Sequence, residues 1–206
     1  MPLDLSNPRV ATSIELLEND IEIKAIQKAL IIRVAMGKKP ATWQVIESEK
    51  WKKGTHKTGI GSERWNHIDR LLSGLGLQYV VTTRLSDDTF VQSKIGEQFW
   101  VEIGDVFIAR TKETATQLAD AARTKDDKRL GELFGFPDTA ISAYISKDLI
   151  PFHKIPKFTD DITSEEMKFL NHMISKQNWK TEILYLPEFA SDIRHISPKI
   201  YHDCVS

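Results

Sequence analysis

The chain has 206 residues, 41% of them hydrophobic and 28% charged, and carries a formal net charge of −1. That is room for one large domain or two small ones, with no global field to gather a polyanion or an anionic membrane. The single cysteine, Cys204, excludes an internal disulfide. No apolar run approaches the ~20 residues of a membrane span. The opening MPLDLSNPRV lacks the layout of a signal peptide. A cytoplasmic protein without membrane contact is expected.

Helix signals come first. Thr12 and Glu15 read as a capping box. Leu16, Ile23, Leu30 and Val34 continue as one apolar stripe, widened by Leu17, Ile21 and Ile26, until Gly37 stops it. This predicts one long helix over about 13–36. Pro40 breaks the chain, Thr42 reads as the cap of a second helix, and Gly54 as its close. Ser62 caps a third, with Trp65, Ile68, Leu72 and Leu75 at helical spacing and Trp65 expected in the core.

From Leu77 the composition turns β-branched and aromatic. LQYVVTTRL ends in SDD and restarts at TFVQSKI, and FWVEI, GD and VFIAR read as two strands around a tight turn. Residues 77 to 110 thus predict a small sheet. Thr111 caps a helix bearing Ala115, Leu118, Ala119 and Ala122. RLGELFGFPDTAISAYI predicts a helical turn, a break at Gly135–Pro137 and another helix. LIPFHKIPKF is extended, Thr163 and Glu166 make a second capping box for a helix to about Lys176, TEILYL reads as a short strand, and irregular chain follows Pro187.

One stretch concentrates polar chemistry. KKGTHKTGIGSERW, residues 52 to 65, holds Gly54, Gly59 and Gly61 among Lys52, Lys53, His56, Lys57 and Arg64. Glycines permit close backbone approach, and amides at a helix start favour an anion. The spacing from Gly54 to Gly59 is that of a P-loop, but Ile60 and Gly61 follow where lysine and a hydroxyl are needed. From Lys38 to Arg70 there are eight basic residues against four acidic, with Trp43, Trp51 and Trp65 interleaved. That mixture suits phosphate contacts with base stacking, Trp51 being the better contact candidate. The alternative is that the tryptophans are core and the lysines coat a loop.

Two further features stand out. YVVTTR and VFIAR end in Arg84 and Arg110, with Thr82, Thr83 and Thr111 beside them. Parallel strands would bring both guanidinium groups to one edge as an anion site; antiparallel strands would separate them. At the C-terminal end, His195, His202, Asp203 and Cys204 are metal ligands by type, but their spacing fits no closed zinc motif and no metal is expected. No G-x-S-x-G elbow is present, so no catalytic set is named and no cofactor is implied.

RLGELFGFPDTAISAY, through Leu130, Gly131, Leu133, Gly135, Phe136, Pro137, Ile141, Ala143 and Tyr144, resembles a segment of an uncharacterised domain-of-unknown-function family. That family's pattern runs roughly Leu-Gly-x-Leu-Leu-Gly-Tyr-Pro-x-Cys-Cys. The likeness spans roughly residues 77 to 206. Thr139 and Ala140 stand where the family places adjacent cysteines, so thiol chemistry is absent here. The resemblance implies an α+β region and transfers no activity.

These readings predict a helix-rich α+β fold, with a three-helix region over 1–76 and a mixed or antiparallel sheet with C-terminal helices over 77–206. The two are separate domains or lobes of one. The function expected is nucleotide or nucleic-acid binding through phosphate contacts at residues 38–70. A protein-interaction module using exposed tryptophans is the alternative, and a small-molecule enzyme the third. The oligomeric state is left open.

Overall fold

A computed structural model describes residues 3–52, 61–88 and 99–206. In chain order it contains α1 (Pro8–Asn19), α2 (Ala25–Ala35), β1 (Ala41–Lys52), α3 (Gly61–Gly74), β2 (Gln78–Asp88) and β3 (Phe99–Ala109). Then follow α4 (Lys112–Thr124), α5 (Asp127–Leu133), α6 (Asp138–Ser146), α7 (Ser164–Met167), α8 (Trp179–Glu182), α9 (Leu186–Ile196) and α10 (Pro198–Val205). The fold is α+β and helix-rich. Its sheet is antiparallel, in the order β1-β3-β2.

The N-terminal region holds three helices, though not the three the sequence suggests. The expected long helix is two. Asp20 leaves the helical conformation, and its carboxylate accepts hydrogen bonds from the amides of Glu22 and Ile23 at 3.0 and 3.1 Å. A short acidic side chain thus offers those amides an alternative to the helix ladder. The expected second helix is strand β1. Thr42, Gln44 and Ile46 are buried while Trp43, Val45 and Glu47 are exposed, the two-residue period of a strand. Pro40 and Thr42 resemble a helix start, but pairing with β3, from Ala41↔Ala109 to Lys52↔Phe99, decides the conformation.

The glycine–aspartate pair 104–105 is not a turn. β3 runs straight through it. A Cβ on Gly104 would lie 2.1 Å from Cη2 of Trp65, so the glycine is the seat of that ring against the sheet. Trp65 packs against the core as expected. Asp105 accepts from Trp43 Nε1 at 3.2 Å and from Arg84 Nε at 3.3 Å.

One sheet face contributes Ile46, Val106 and Ile108 to the main core, which includes residues from Val10 to Tyr201 and is centred on α2. The other carries Ala41, Phe107 and Ala109 against Ala115, Leu118 and Ala121 of α4 and Leu133 of α5. Burying the β-branched and aliphatic side chains of this kind contributes about 1.5–3 kcal/mol each.

The C-terminal third also departs from expectation. The helix opened by the Thr163–Glu166 capping box ends at Met167, not near Lys176. TEILYL is largely helical or turn, with Glu182 buried and accepting from the amide and hydroxyl of Ser175, both at 2.8 Å. Pro187 and Pro198 do not break structure. They sit in the first turns of α9 and α10, where a missing amide proton costs nothing.

Candidate functional site

The site begins where α2 ends. Gly37, at φ +74°, turns the chain left-handed, with Gly37 N donating to Val34 O and Lys38 N to Arg33 O. This sends Lys39 and Pro40 toward the α5–α6 joint. That joint is a second left-handed stop: Gly135 has φ +68°, and Phe136 N donates to Gly131 O at 3.0 Å. A Cβ on Gly135 would meet Pro40 Cδ at 2.7 Å, so the two turns pack directly together.

Lys39 reaches across this contact. Its ammonium donates to the carbonyl of Phe134, the C-cap of α5, and lies 4.8 Å from the ring centre of Phe136 and 5.6 Å from that of Phe134. Burial, reinforced by the charge of Arg33, pushes the amine down to about 7. No acid among the described residues pairs with it.

Its neighbours on α2 and in the turn after it are balanced. Arg33 Nη1 meets Asp192 Oδ2 at 2.8 Å, with its guanidinium carbon 4.9 Å from the Phe189 ring centre. Lys38 Nζ lies 2.7 Å from both Asp192 Oδ1 and Glu188 Oε1. Those hydrogen bonds hold the Lys38 amine above its ordinary value.

The facing wall comes from the segment after α7 and the start of α9. His172 stacks on Phe136 at 5.0 Å and 25°. Burial pushes its pKa down to about 4, so the ring is neutral near pH 7. The phenol of Tyr185, whose pKa burial raises, lies 2.9 Å from Asn171 Oδ1 and 3.3 Å from His172 Nδ1. With the Asn171 amide so assigned, the one phenol proton goes to its carbonyl oxygen, so His172 Nδ1 carries the proton given to Tyr185. That leaves Nε2 with a lone pair, and Nε2 is buried without a hydrogen-bond partner among the described residues.

These groups border a cavity of about 230 Å³, lined by Arg33, Lys38, Lys39, Phe136, His172 and Tyr185 among others. A second cavity of about 280 Å³ adjoins it through Phe134, Phe136, Asn171 and His172, and extends over Leu130, Ile141, Tyr144 and Met173. One end is cationic and hydrogen-bonding, and the other is apolar. Such a cleft can orient a small amphipathic ligand.

The sequence-predicted residues lie elsewhere. Arg64, on α3, is 14% exposed and bound to Asp20 at 2.6 and 3.1 Å and to Glu22 at 2.9 Å. Trp51, half-buried near the end of β1, pairs in register with Trp100. Lys52 ends β1, while Lys53, His56 and Lys57 lie outside the described residues. Because β2 and β3 are antiparallel, Arg84 sits opposite Ile103 whereas Arg110 follows Ala109 at the other end, roughly 20 Å away along the strands. The two arginines share no edge.

His195, His202, Asp203 and Cys204 lie on α9 and α10. Among the described residues no group of three His, Cys, Asp or Glu is placed to hold a metal. Burial raises the Cys204 thiol to about 11, which keeps it protonated near pH 7.

Sequence reasoning counted Lys39 only as one cation among eight and passed over Arg33, His172 and Tyr185. Arg33 did leave a trace, as a charge inside the apolar run ALIIRVA. Among the described residues, no helix is long and apolar enough to cross a membrane. No protein-family model, curated protein or solved structure matches this chain.

Proposed function

We propose that this protein binds a small organic anion with an apolar body, its charged end at Lys39 and its body in the adjoining apolar cavity. The observation that carries this is the electrostatic state of Lys39. It is a buried amine beside a second cation and bordering a cavity, and among the described residues its hydrogen-bond partner is a carbonyl and no carboxylate. A carboxylate or phosphate entering there supplies the absent countercharge and restores the charged amine. The hydrogen-bond-accepting Nε2 of His172 adds selectivity for a ligand that also carries a hydroxyl or amide donor.

Binding is therefore coupled to proton uptake. With the free amine near 7, about pH 8 finds it mostly neutral and about pH 6 mostly charged. Calorimetry of 3-phenylpropanoate and phenyl phosphate in buffers of different ionisation enthalpy should show close to one proton taken up at the higher pH and little at the lower. Affinity should weaken as pH rises. Absence of binding by either anion across that range overturns the proposal.

A second reading keeps nucleotide or nucleic-acid contact at the far end of the sheet. There the register sets Trp51 opposite Trp100, and the chain continues into Lys52, Lys53 and Lys57. Phosphates neutralised by those lysines would make affinity fall steeply with salt. Replacing all three with alanine should flatten the slope by about one unit for each phosphate no longer neutralised. Failure of single strands, duplexes and mononucleotides alike to bind at low salt ends this reading.

A further inference from the structure

We propose that Lys39 forms an imine with small 2-oxo carboxylates bearing an apolar substituent. The grounds are its placement over the adjacent Phe134 and Phe136 rings, on a cavity that also presents Arg33, Lys38, His172 and Tyr185. This deepens the anion-binding reading and rests on it.

Imine formation needs an amine in neutral form, held dry enough that water does not dominate the equilibrium, with the carbonyl carbon in reach. The aromatic walls supply the dry surroundings. The second cation, Arg33, and burial act together to deprotonate Lys39 near pH 7. Arg33 gives one nitrogen to Asp192 and otherwise retains its donors, and Lys38 stands beside it. Both border the cavity, but Lys38 is held by Asp192 and Glu188. Arg33 is therefore the cation that suits the carboxylate and leaves the Lys39 amine to the ketone, while the neighbouring apolar cavity suits the substituent.

Among the described residues, Asp127 of α5 and Tyr144 of α6 line the apolar cavity. Of the charged and titratable groups bordering the amine's own cavity, Arg33 and Lys38 come from α2 and the turn after it, His172 and Tyr185 from the facing wall. Asp192 and Glu188 of α9 are tied to Arg33 and Lys38.

The step consumes no oxidant or reductant. The Nζ lone pair forms a bond to the ketone carbon, giving a carbinolamine. The carbon–oxygen bond then breaks, and the oxygen leaves as water with both protons of the original amine. A carbon–nitrogen double bond remains.

The test uses the whole wild-type chain with phenylpyruvate and sodium cyanoborohydride, whose hydride reduces the imine to a stable secondary amine. Peptide mass spectrometry then locates and quantifies the adduct. A lysine at about 7 is neutral roughly a thousand times more often than an ordinary one near pH 7. The adduct on Lys39 should therefore exceed that on any other lysine about tenfold or more, and rise from about pH 6 to about pH 8. 3-Phenylpropanoate, which has no ketone, should suppress it in proportion to its occupancy.

Two failures are distinguishable. If 3-phenylpropanoate binds with proton uptake but Lys39 is labelled no more than surface lysines, the imine proposal is wrong and the anion site stands. If neither compound binds and no lysine is favoured, both proposals fall.

Discussion

Arg64 and Lys39 belong to the same basic stretch of sequence, and the fold treats them in opposite ways. Arg64 receives a carboxylate that is 1% exposed, Asp20, together with Glu22. Lys39 receives a carbonyl and a second cation. One cation is consumed in holding the chain together, and the other is left electrostatically unsatisfied beside a cavity. A count of basic residues therefore says little about a site. What matters is which cations the fold leaves without an opposing charge.

The largest effect should come from the satisfied side. Asp20 accepts the amides of Glu22 and Ile23, two nitrogens of Arg64, and pairs with His67 Nε2 at 3.1 Å. Burial works against its charge, but the Arg64 hydrogen bond and charge, with those amides, hold its carboxyl below the ordinary range. Asp20→Ala should destabilise by about 2–4 kcal/mol, since it removes the buried partner of a largely buried guanidinium, leaves it the half-exposed Glu22, and frees two amides. Urea unfolding checks this. A loss under about 1 kcal/mol would place Arg64 among the available cations and erase the contrast.

Next comes His172. Its pKa is about 4 folded against 6.5 unfolded, so between those values the unfolded chain binds more protons. Stability should fall as pH drops through that window, by about 3 kcal/mol in all. His172→Phe should flatten that part of the curve.

Gly135→Ala tests the joint on which Lys39 rests. The left-handed backbone and the 2.7 Å approach to Pro40 should together cost about 1–2 kcal/mol. A neutral effect would mean that the two turns separate easily and that the cavity wall is soft.

Opposite in sign is Lys39→Met. It removes one hydrogen bond, worth about 1 kcal/mol, and a buried amine whose lowered basicity costs more than that at pH 7. The variant should therefore be more stable there by about 2–4 kcal/mol. The pH dependence separates them. Because the folded amine sits near 7 and the unfolded one at 10.5, the unfolded chain binds more protons in between, and wild-type stability should rise with pH there. The methionine variant should lack that rise.

Most local signals are legible, although Thr12 and Glu15 lie inside α1, whose cap is Asn7, and the distant signals are not. Gly37 and Gly135 announced helix stops because a left-handed turn is a property of a few adjacent residues. The capping box at Thr163 and the cap at Thr111 were equally local. β1 reads as a helix because Pro40 and Thr42 mimic a helix start, while its partner strand lies some sixty residues on. Gly104 resembled a turn because nothing nearby in sequence names Trp65 as the ring above it. The cleft escaped notice for the same reason: Lys39, Phe136, His172 and Tyr185 come from four separate segments, and the lowered basicity of the amine exists only once they meet.

The strand order carries a consequence for how the chain acquires its structure. β3, the last strand made, is the middle of the sheet, and both earlier strands hydrogen-bond to it rather than to each other. During synthesis β1 and β2 therefore wait as unpaired edges until Ala109 has emerged, and α2 waits longer still for the Asp192 that neutralises Arg33. Closure of such distant partners is entropically slow, and exposed strand edges are prone to aberrant pairing meanwhile. The nascent chain should accordingly depend on chaperone protection through its first half, and acquire its protease resistance in a late step.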